Sequence, residues 1–400
     1  MPASETVLRR PHYDLSHRPF IVIWEATRAC SLACVHCRAE AIPDRDPEEL
    51  TTIEAAALMS QIADFGKPPP LFVITGGDPF ERPDLAELIA AGVGSGLPVS
   101  VSPSGTALLS RENIAKVQAA GAVAISLSID GASARVHDGF RGIPGVFDRT
   151  IAAWHAARDL GIKVQVNTTV TADTMDELPD ILRLVVALGA MTWSVFFLVP
   201  TGRGAQLDQM TPRQFEDVMN FLYDADKIVS VKATEGHQFR RVVLQRRILE
   251  DKGEDHVSVL GLGETYRRLH ARLDGLADPR QPAVMVGVRR APLDVASGRG
   301  YAFISHTGEV YPSGFLPLSA GNVRETPLPQ IYRDSPLFNW MRDPAQLLGR
   351  CGRCEFREVC GGSRSRAYGA TGNVFAEEPG CDYEPGSFPY PEEIDGLLKV

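Results

Sequence analysis

The sequence predicts an α/β protein, a partial (β/α)6 TIM-like barrel followed by a small Cys-rich C-terminal domain. Three observations carry this. Between 20 and 225, six short apolar runs alternate with helical spacing, the pattern of a parallel sheet covered by helices. Six such units fall short of the eight that close a full barrel. The seven cysteines fall in two tight groups: Cys30, Cys34 and Cys37 near the start, and Cys351, Cys354, Cys360 and Cys381 near the end.

Taken in order, 20–24 reads as a buried strand that runs directly into the first cysteine loop. Helical spacing follows over 51–65, with Thr51 or Thr52 as cap. The apolar run 71–75 is the second strand, ended by Gly76 and Gly77. The alternation continues with a helix over 83–94, strand 99–102, helix 111–120 and strand 123–129. Then come helix 146–160, strand 163–170, helix 175–188, strand 192–199 and helix 212–225. From 231 the pattern changes to a basic helix over 237–252 and a Gly- and Arg-rich stretch; 301–312 reads as a hairpin turning at Thr307-Gly308. The boundaries expected are an N-terminal extension 1–18, a barrel 19–230, a basic helical linker 231–300 and a Cys-rich domain 301–400.

Ligands of such sheets gather at the carboxyl ends of the strands. The cysteine loop, the Gly76-Gly77 turn, Asp130 and the loop at Pro200 share that address, so they are expected to form one site.

Charge and targeting narrow the class. With 41 Lys and Arg against 50 Asp and Glu, the net charge is −9, which argues against nucleic acid or an anionic membrane as partner. Residues 1–15 carry no apolar h-region, and no run is long enough to span a bilayer. A cytoplasmic protein is expected, whose thiols stay reduced and open to metal.

The first three cysteines have three and then two residues between them. An iron–sulfur cubane takes four thiolates, so three leave one iron open; zinc completed by His36 is the alternative reading. The last four, spaced Cys351-x2-Cys354-x5-Cys360-x20-Cys381, suffice for a closed cubane, with a zinc ribbon as the alternative.

The segment from Thr27 through Cys30, Cys34 and Cys37 resembles the signature of the radical S-adenosylmethionine (SAM) superfamily. Gly76-Gly77-Asp78-Pro79 is similar to its glycine-rich turn, usually written with Glu where this chain has Asp78. The resemblance implies that this turn meets the methionyl amino group and that Ser128 or Asp130 makes polar contacts to SAM. It also implies that Arg141, in Phe140-Arg141-Gly142, meets the SAM carboxylate. Asn167 and Thr169 on the fifth strand, and the backbone near Leu198 and Val199, would complete the pocket; Ser102 and Ser104 are weaker candidates. The implied chemistry is one-electron cleavage of SAM at the three-thiolate cluster, giving a 5′-deoxyadenosyl radical that abstracts hydrogen from a substrate.

The string from Cys360 to Asn373 resembles the SPASM-type auxiliary-cluster domain, which makes the C-terminal domain an iron–sulfur domain. SPASM domains with two auxiliary clusters usually carry cysteines where this chain has Ser313 and Ser363. Two 4Fe–4S clusters in all are therefore expected, one binding SAM and one auxiliary. That string and the stretch around His237, Arg240 and Arg241 resemble the haem-biosynthesis branch, the iron-coproporphyrin decarboxylase and d1-type haem enzymes. Peptide-modifying maturases share the architecture. A tetrapyrrole side chain is thus the expected substrate and a ribosomal peptide the alternative; a non-catalytic metal scaffold is a third reading. His237, Arg240 and Arg241 would touch substrate, the arginines as a carboxylate-binding rim, against the plainer reading of a solvated basic helix. Flavodoxin or ferredoxin is the electron donor the resemblance implies.

Overall fold

The structure, a computed structural model, describes residues 12–273, 276 and 295–398. Strand β1 (Ile21–Glu25) is followed by helix α1 (Thr52–Ala63), β2 (Leu71–Thr75), α2 (Leu85–Gly94), β3 (Val99–Val101), α3 (Arg111–Ala119) and β4 (Ala124–Ser128). Next come α4 (Ala134–Arg141), α5 (Val146–Asp159), β5 (Lys163–Val170), α6 (Leu178–Ala187), β6 (Thr192–Phe197) and α7 (Pro212–Ala225). The six strand–helix units expected from the sequence are present, and β1 to β6 pair in parallel.

The sheet extends beyond those six. Strand β7 (Val231–Thr234), inside the segment read as linker, pairs in parallel with β6. Strand β8 (Tyr301–Ile304) pairs in parallel with β1 and antiparallel with β9 (Val310–Tyr311), giving the order β7-β6-β5-β4-β3-β2-β1-β8-β9. The expected hairpin exists, but it also lengthens the half-barrel sheet on the far side of β1.

Alternation along the strands sorts the two faces. Val22, Phe72, Val101, Ile125, Val164, Trp193 and Val231 belong to one buried core that includes Leu58, Ile89, Ile114, Trp154, Ile181 and Val218 of the covering helices. Residues between them point into the lumen and are mostly polar and half-buried: Ser126, Ser128, Gln165, Asn167 and Thr169. The register aligns Ser128, Asn167, Ser194 and Lys232 as one lateral row across β4, β5, β6 and β7. One face is therefore hydrophobic packing, and the other is available for chemistry.

Helix α4 escaped the periodicity reading. Its buried residues are His137, Phe140 and Arg141, so the face it hides is mostly polar and gives no apolar stripe. After β7 come α8 (Phe239–Lys252), α9 (His256–Val259) and α10 (Glu264–His270). Helix α8 is not a solvated basic helix, because Arg241 and Arg246 are buried against Glu216 and Asp224 of α7. The Gly- and Arg-rich stretch of the expected linker falls largely on 277–294, outside the described residues, as do residues 1–11 of the expected extension.

The C-terminal segment holds short helices α11 (Leu328–Asp334), α12 (Pro336–Arg342), α13 (Gly349–Arg353), α14 (Arg364–Thr371) and α15 (Pro391–Leu398). Among the described residues no helix is long and apolar enough to cross a membrane.

Candidate active site

Two glycines bring β2 and the first cysteine loop together. A Cβ on Gly76 would lie 2.4 Å from the Thr27 carbonyl oxygen, and one on Gly77 2.4 Å from that of Ala29. With no side chain in the way, the Gly77 and Asp78 amides donate to those carbonyls, each at 2.7 Å. The Asp78 carboxylate is fully buried and accepts from the Phe80 amide and the Thr106 hydroxyl. Burial pushes its carboxyl up to about 6. Asp78 thus caps the turn that begins at Pro79.

The cysteine loop itself is enclosed. Cys30 and Cys34 are buried with Leu32 and Val146, and Cys37 packs at the edge. The Leu32 amide donates to the Cys30 sulfur at 3.4 Å and Arg141 Nη1 to the Cys34 sulfur at 3.8 Å. Arg141 Nη2 donates to Asp130, which also accepts from the Thr169 amide at 2.7 Å. Burial raises the Asp130 carboxyl, but the Arg141 guanidinium beside it holds it below the usual carboxylate range. Asp130 is therefore an ionised anchor for Arg141. The Asp130 amide donates to His137 Nδ1 at 3.0 Å, and burial pulls His137 down to about 4, so it is neutral.

Around this pair lie buried polar atoms with no partner among the described residues: His36 Nδ1, His137 Nε2, Arg141 Nε, and Arg203 Nε and Nη2. Such atoms are costly to bury unless a ligand meets them. The polar groups of SAM fit this lining. Arg203 is the residue that the sequence reading missed. It follows β6 at the carboxyl edge, between Gly202 and Gly204, with its amide bonded to the Cys37 carbonyl, and its position on that edge is the signal that marks it.

Ser128 and Asn167 sit side by side on the lumen face, where the Asn167 side-chain carbonyl accepts from Gln165. Both peptide groups of Leu198 are already engaged, its amide with Val170 and its carbonyl with Arg366 Nε.

The second cysteine group borders a small pocket lined by Cys351, Cys354, Cys360, Cys381, Arg241 and Phe356. Among the described residues no three His, Cys, Asp or Glu side chains are grouped to hold a single metal ion. Four thiols are enough to ligate a cubane completely. Burial pushes the Cys354 and Cys360 thiols up to about 12 in the metal-free chain.

Three expected substrate contacts are relocated here. Arg241 does not form a rim: its guanidinium is buried, paired with Glu216 at 2.5 Å and stacked over Tyr383. Arg240 donates to the Val359 carbonyl at 2.9 Å. His237 Nδ1 lies 2.8 Å from the Gly362 carbonyl oxygen, and burial pulls it down to about 3. All three tie α8 to the second cysteine group.

Ser313 and Ser363 converge. Both donate to Glu235, as does Ser365, so the positions of the absent cysteines surround one buried carboxylate. Arg366 clamps the same seam, donating to the carbonyls of Phe197, Leu198 and Glu235.

The open barrel, with a glycine-pinned three-thiol loop at the carboxyl edge and a four-thiol pocket in the C-terminal segment, defines an iron–sulfur enzyme class. Residues 24–185 match the radical SAM superfamily and residues 296–355 the SPASM iron–sulfur cluster-binding domain. The chain is 40% identical to the AdoMet-dependent heme synthase of Oleidesulfovibrio alaskensis, covering 92% of this chain and 88% of that protein. It is 31% identical to the Fe-coproporphyrin III synthase of Methanosarcina barkeri, covering 90% of this chain and 87% of that one. In fold it is similar to Streptococcus suis SuiB bound to its precursor peptide SuiA, with TM-score 0.63 and 13% identity over 93% of this chain and 76% of that one. The chain belongs to the radical SAM superfamily and carries a SPASM domain. It is an enzyme that uses SAM, a 4Fe–4S cluster and auxiliary iron–sulfur.

Proposed function

We propose that this chain is a cytoplasmic enzyme that removes hydrogen from a tetrapyrrole side chain, leading to its oxidative decarboxylation. The observation that carries this reading is the 40% identity to an AdoMet-dependent heme synthase over 92% of the chain. In balance, a propionate that loses a hydrogen atom, carbon dioxide and one electron becomes a vinyl group, and the electron passes to an external carrier. Flavodoxin or ferredoxin would deliver the electron that starts each turnover.

When bound, the SAM-ligated cluster supplies the electron that cleaves SAM and yields the hydrogen-abstracting radical. Cys30, Cys34 and Cys37 hold that cluster. The backbone of Gly76, Gly77, Asp78 and Pro79 receives the methionyl amino end. Arg141, oriented by Asp130, and Arg203 receive the carboxylate with their unpartnered nitrogens. Ser128 and Asn167 offer hydroxyl and amide groups on the lumen floor, and the segment at Leu198 flanks the adenine. Cys351, Cys354, Cys360 and Cys381 hold a single auxiliary cluster, because Glu235 and its serines fill the place of a second.

The test is turnover by anaerobically reconstituted enzyme given SAM, a reductant and iron-coproporphyrin III. Expected products are 5′-deoxyadenosine and a porphyrin with vinyl in place of propionate, both lost in Cys34→Ala. No 5′-deoxyadenosine from cluster-loaded enzyme would overturn the mechanism. An unchanged porphyrin alongside a modified peptide from a neighbouring gene would replace the substrate.

A further inference from the structure

Lys232 is on the wrong face of its strand for a surface lysine. Its neighbour Val231 pairs with Trp193 in the helix-covered core, so Lys232 points the other way, into the lumen. There it closes the row Ser128, Asn167, Ser194, Lys232 that crosses four strands. Neighbouring strands lie about 4.8 Å apart, so its backbone stands roughly 10 Å from that of Asn167, two strands away.

The lysine brings a charge that nothing described answers. Among the described residues its ammonium makes no hydrogen bond or ion pair, although Arg241 and Arg246, next along the chain, each have a buried carboxylate partner. Burial pulls its pKa below the ordinary lysine value, and among the described residues no carboxylate opposes that. A half-buried cation without a partner is costly, and a bound anion relieves the cost. The lumen also carries half-buried aromatics: the ring of Phe196, on the strand paired with β7, lies 6.5 Å from that of Phe315, and Tyr301 heads β8. A flat apolar body with an acidic arm matches such aromatics and such a floor.

We propose that Lys232 binds a carboxylate of the substrate and so sets which acidic side chain lies beside the SAM pocket. This rests on the tetrapyrrole reading above and deepens it, since the propionate arms of a porphyrin are the carboxylates in question. The ammonium donates to the carboxylate oxygens, and Ser194 supplies the adjoining polar wall. Lys232 acts as a specificity residue that orients the arm and takes no part in hydrogen transfer.

The experiment is an absorbance titration of full-length, cluster-loaded enzyme with iron-coproporphyrin III and, separately, with its tetramethyl ester. Lys232→Met should weaken binding of the tetra-acid by roughly 10- to 100-fold, while ester affinity changes by less than about twofold and Lys232→Arg retains most acid binding. Equal iron and sulfide loading and a melting temperature no lower than that of the wild type identify a variant that has folded; if Lys232→Met does not fold, Lys232→Gln carries the same comparison. An acid-to-ester preference unchanged by the substitution overturns this inference alone. If the wild-type enzyme binds neither porphyrin, the tetrapyrrole reading falls and this inference falls with it.

Discussion

Glu235 and Ser313 meet across the open side of the half-barrel, the serine hydroxyl donating to the carboxylate at 2.9 Å. Glu235 follows β7 at one edge of the sheet and Ser313 follows β9 at the other. One buried carboxylate thus links the two ends of a nine-stranded sheet that hydrogen bonding along the strands leaves open.

Glu235→Gln should therefore destabilise the fold. The amide keeps the shape but turns charge-assisted bonds from Ser313, Ser363 and Ser365 into neutral ones and adds donors among donors. A loss of about 2–3 kcal/mol is expected, read from urea unfolding. The loaded wild-type chain should carry about eight irons; about twelve would show that the seam houses another cluster.

Arg241→Met removes the partner of a buried carboxylate. Glu216 would be left uncompensated under α8, at a cost of about 3–5 kcal/mol. Because Arg241 also lines the four-thiol cavity, auxiliary iron should fall while SAM-site iron persists. Unchanged stability would mean that Glu216 finds another partner, and the pairing would then carry no weight.

Gly77→Ala should uncouple the first cysteine loop. A methyl group 2.4 Å from the Ala29 carbonyl oxygen cannot be accommodated without moving backbone, and that backbone leads straight into Cys30. Iron loading should drop by about half, with 5′-deoxyadenosine formation lost. Full loading and turnover in this variant would contradict the close approach.

His306 gives a pH signature. Its Nδ1 lies 3.3 Å from Glu25 and its Nε2 3.2 Å from Asp46. Burial lowers its pKa, but the two carboxylates outweigh burial and raise it above 6.5. A raised histidine pKa stabilises the fold fully below the unfolded value, and that contribution fades as pH climbs through the folded one. Melting temperatures should fall from about pH 6 toward about pH 9 more steeply for the wild type than for His306→Gln. Parallel curves would remove His306 from the account.

The chain alone exposed what is periodic or spaced. Alternating apolar runs predicted β1 to β6, and the three-thiol spacing with Gly76-Gly77 predicted the loop and the turn that meet it. Strand β7 was hidden because Val231–Thr234 is short and carries Lys232 toward the lumen. Helix α4 was hidden because its buried face is built from His137 and Arg141. The arginines of α8 read as a carboxylate-binding rim or a solvated face, since a sequence does not show which carboxylates will lie opposite.

By itself, then, the sequence determined the half-barrel and both cysteine groups, because period and spacing along the chain encode them, and its resemblance to the radical SAM superfamily implied the chemistry. Only the tertiary structure decided which charges are answered. It paired Arg241 with Glu216 and Arg141 with Asp130, gathered three serines on Glu235, and left Arg203 Nε and Nη2 without a partner among the described residues. Those outcomes depend on contacts between distant segments, and a buried charge is defined by the partner that the fold brings to it or withholds.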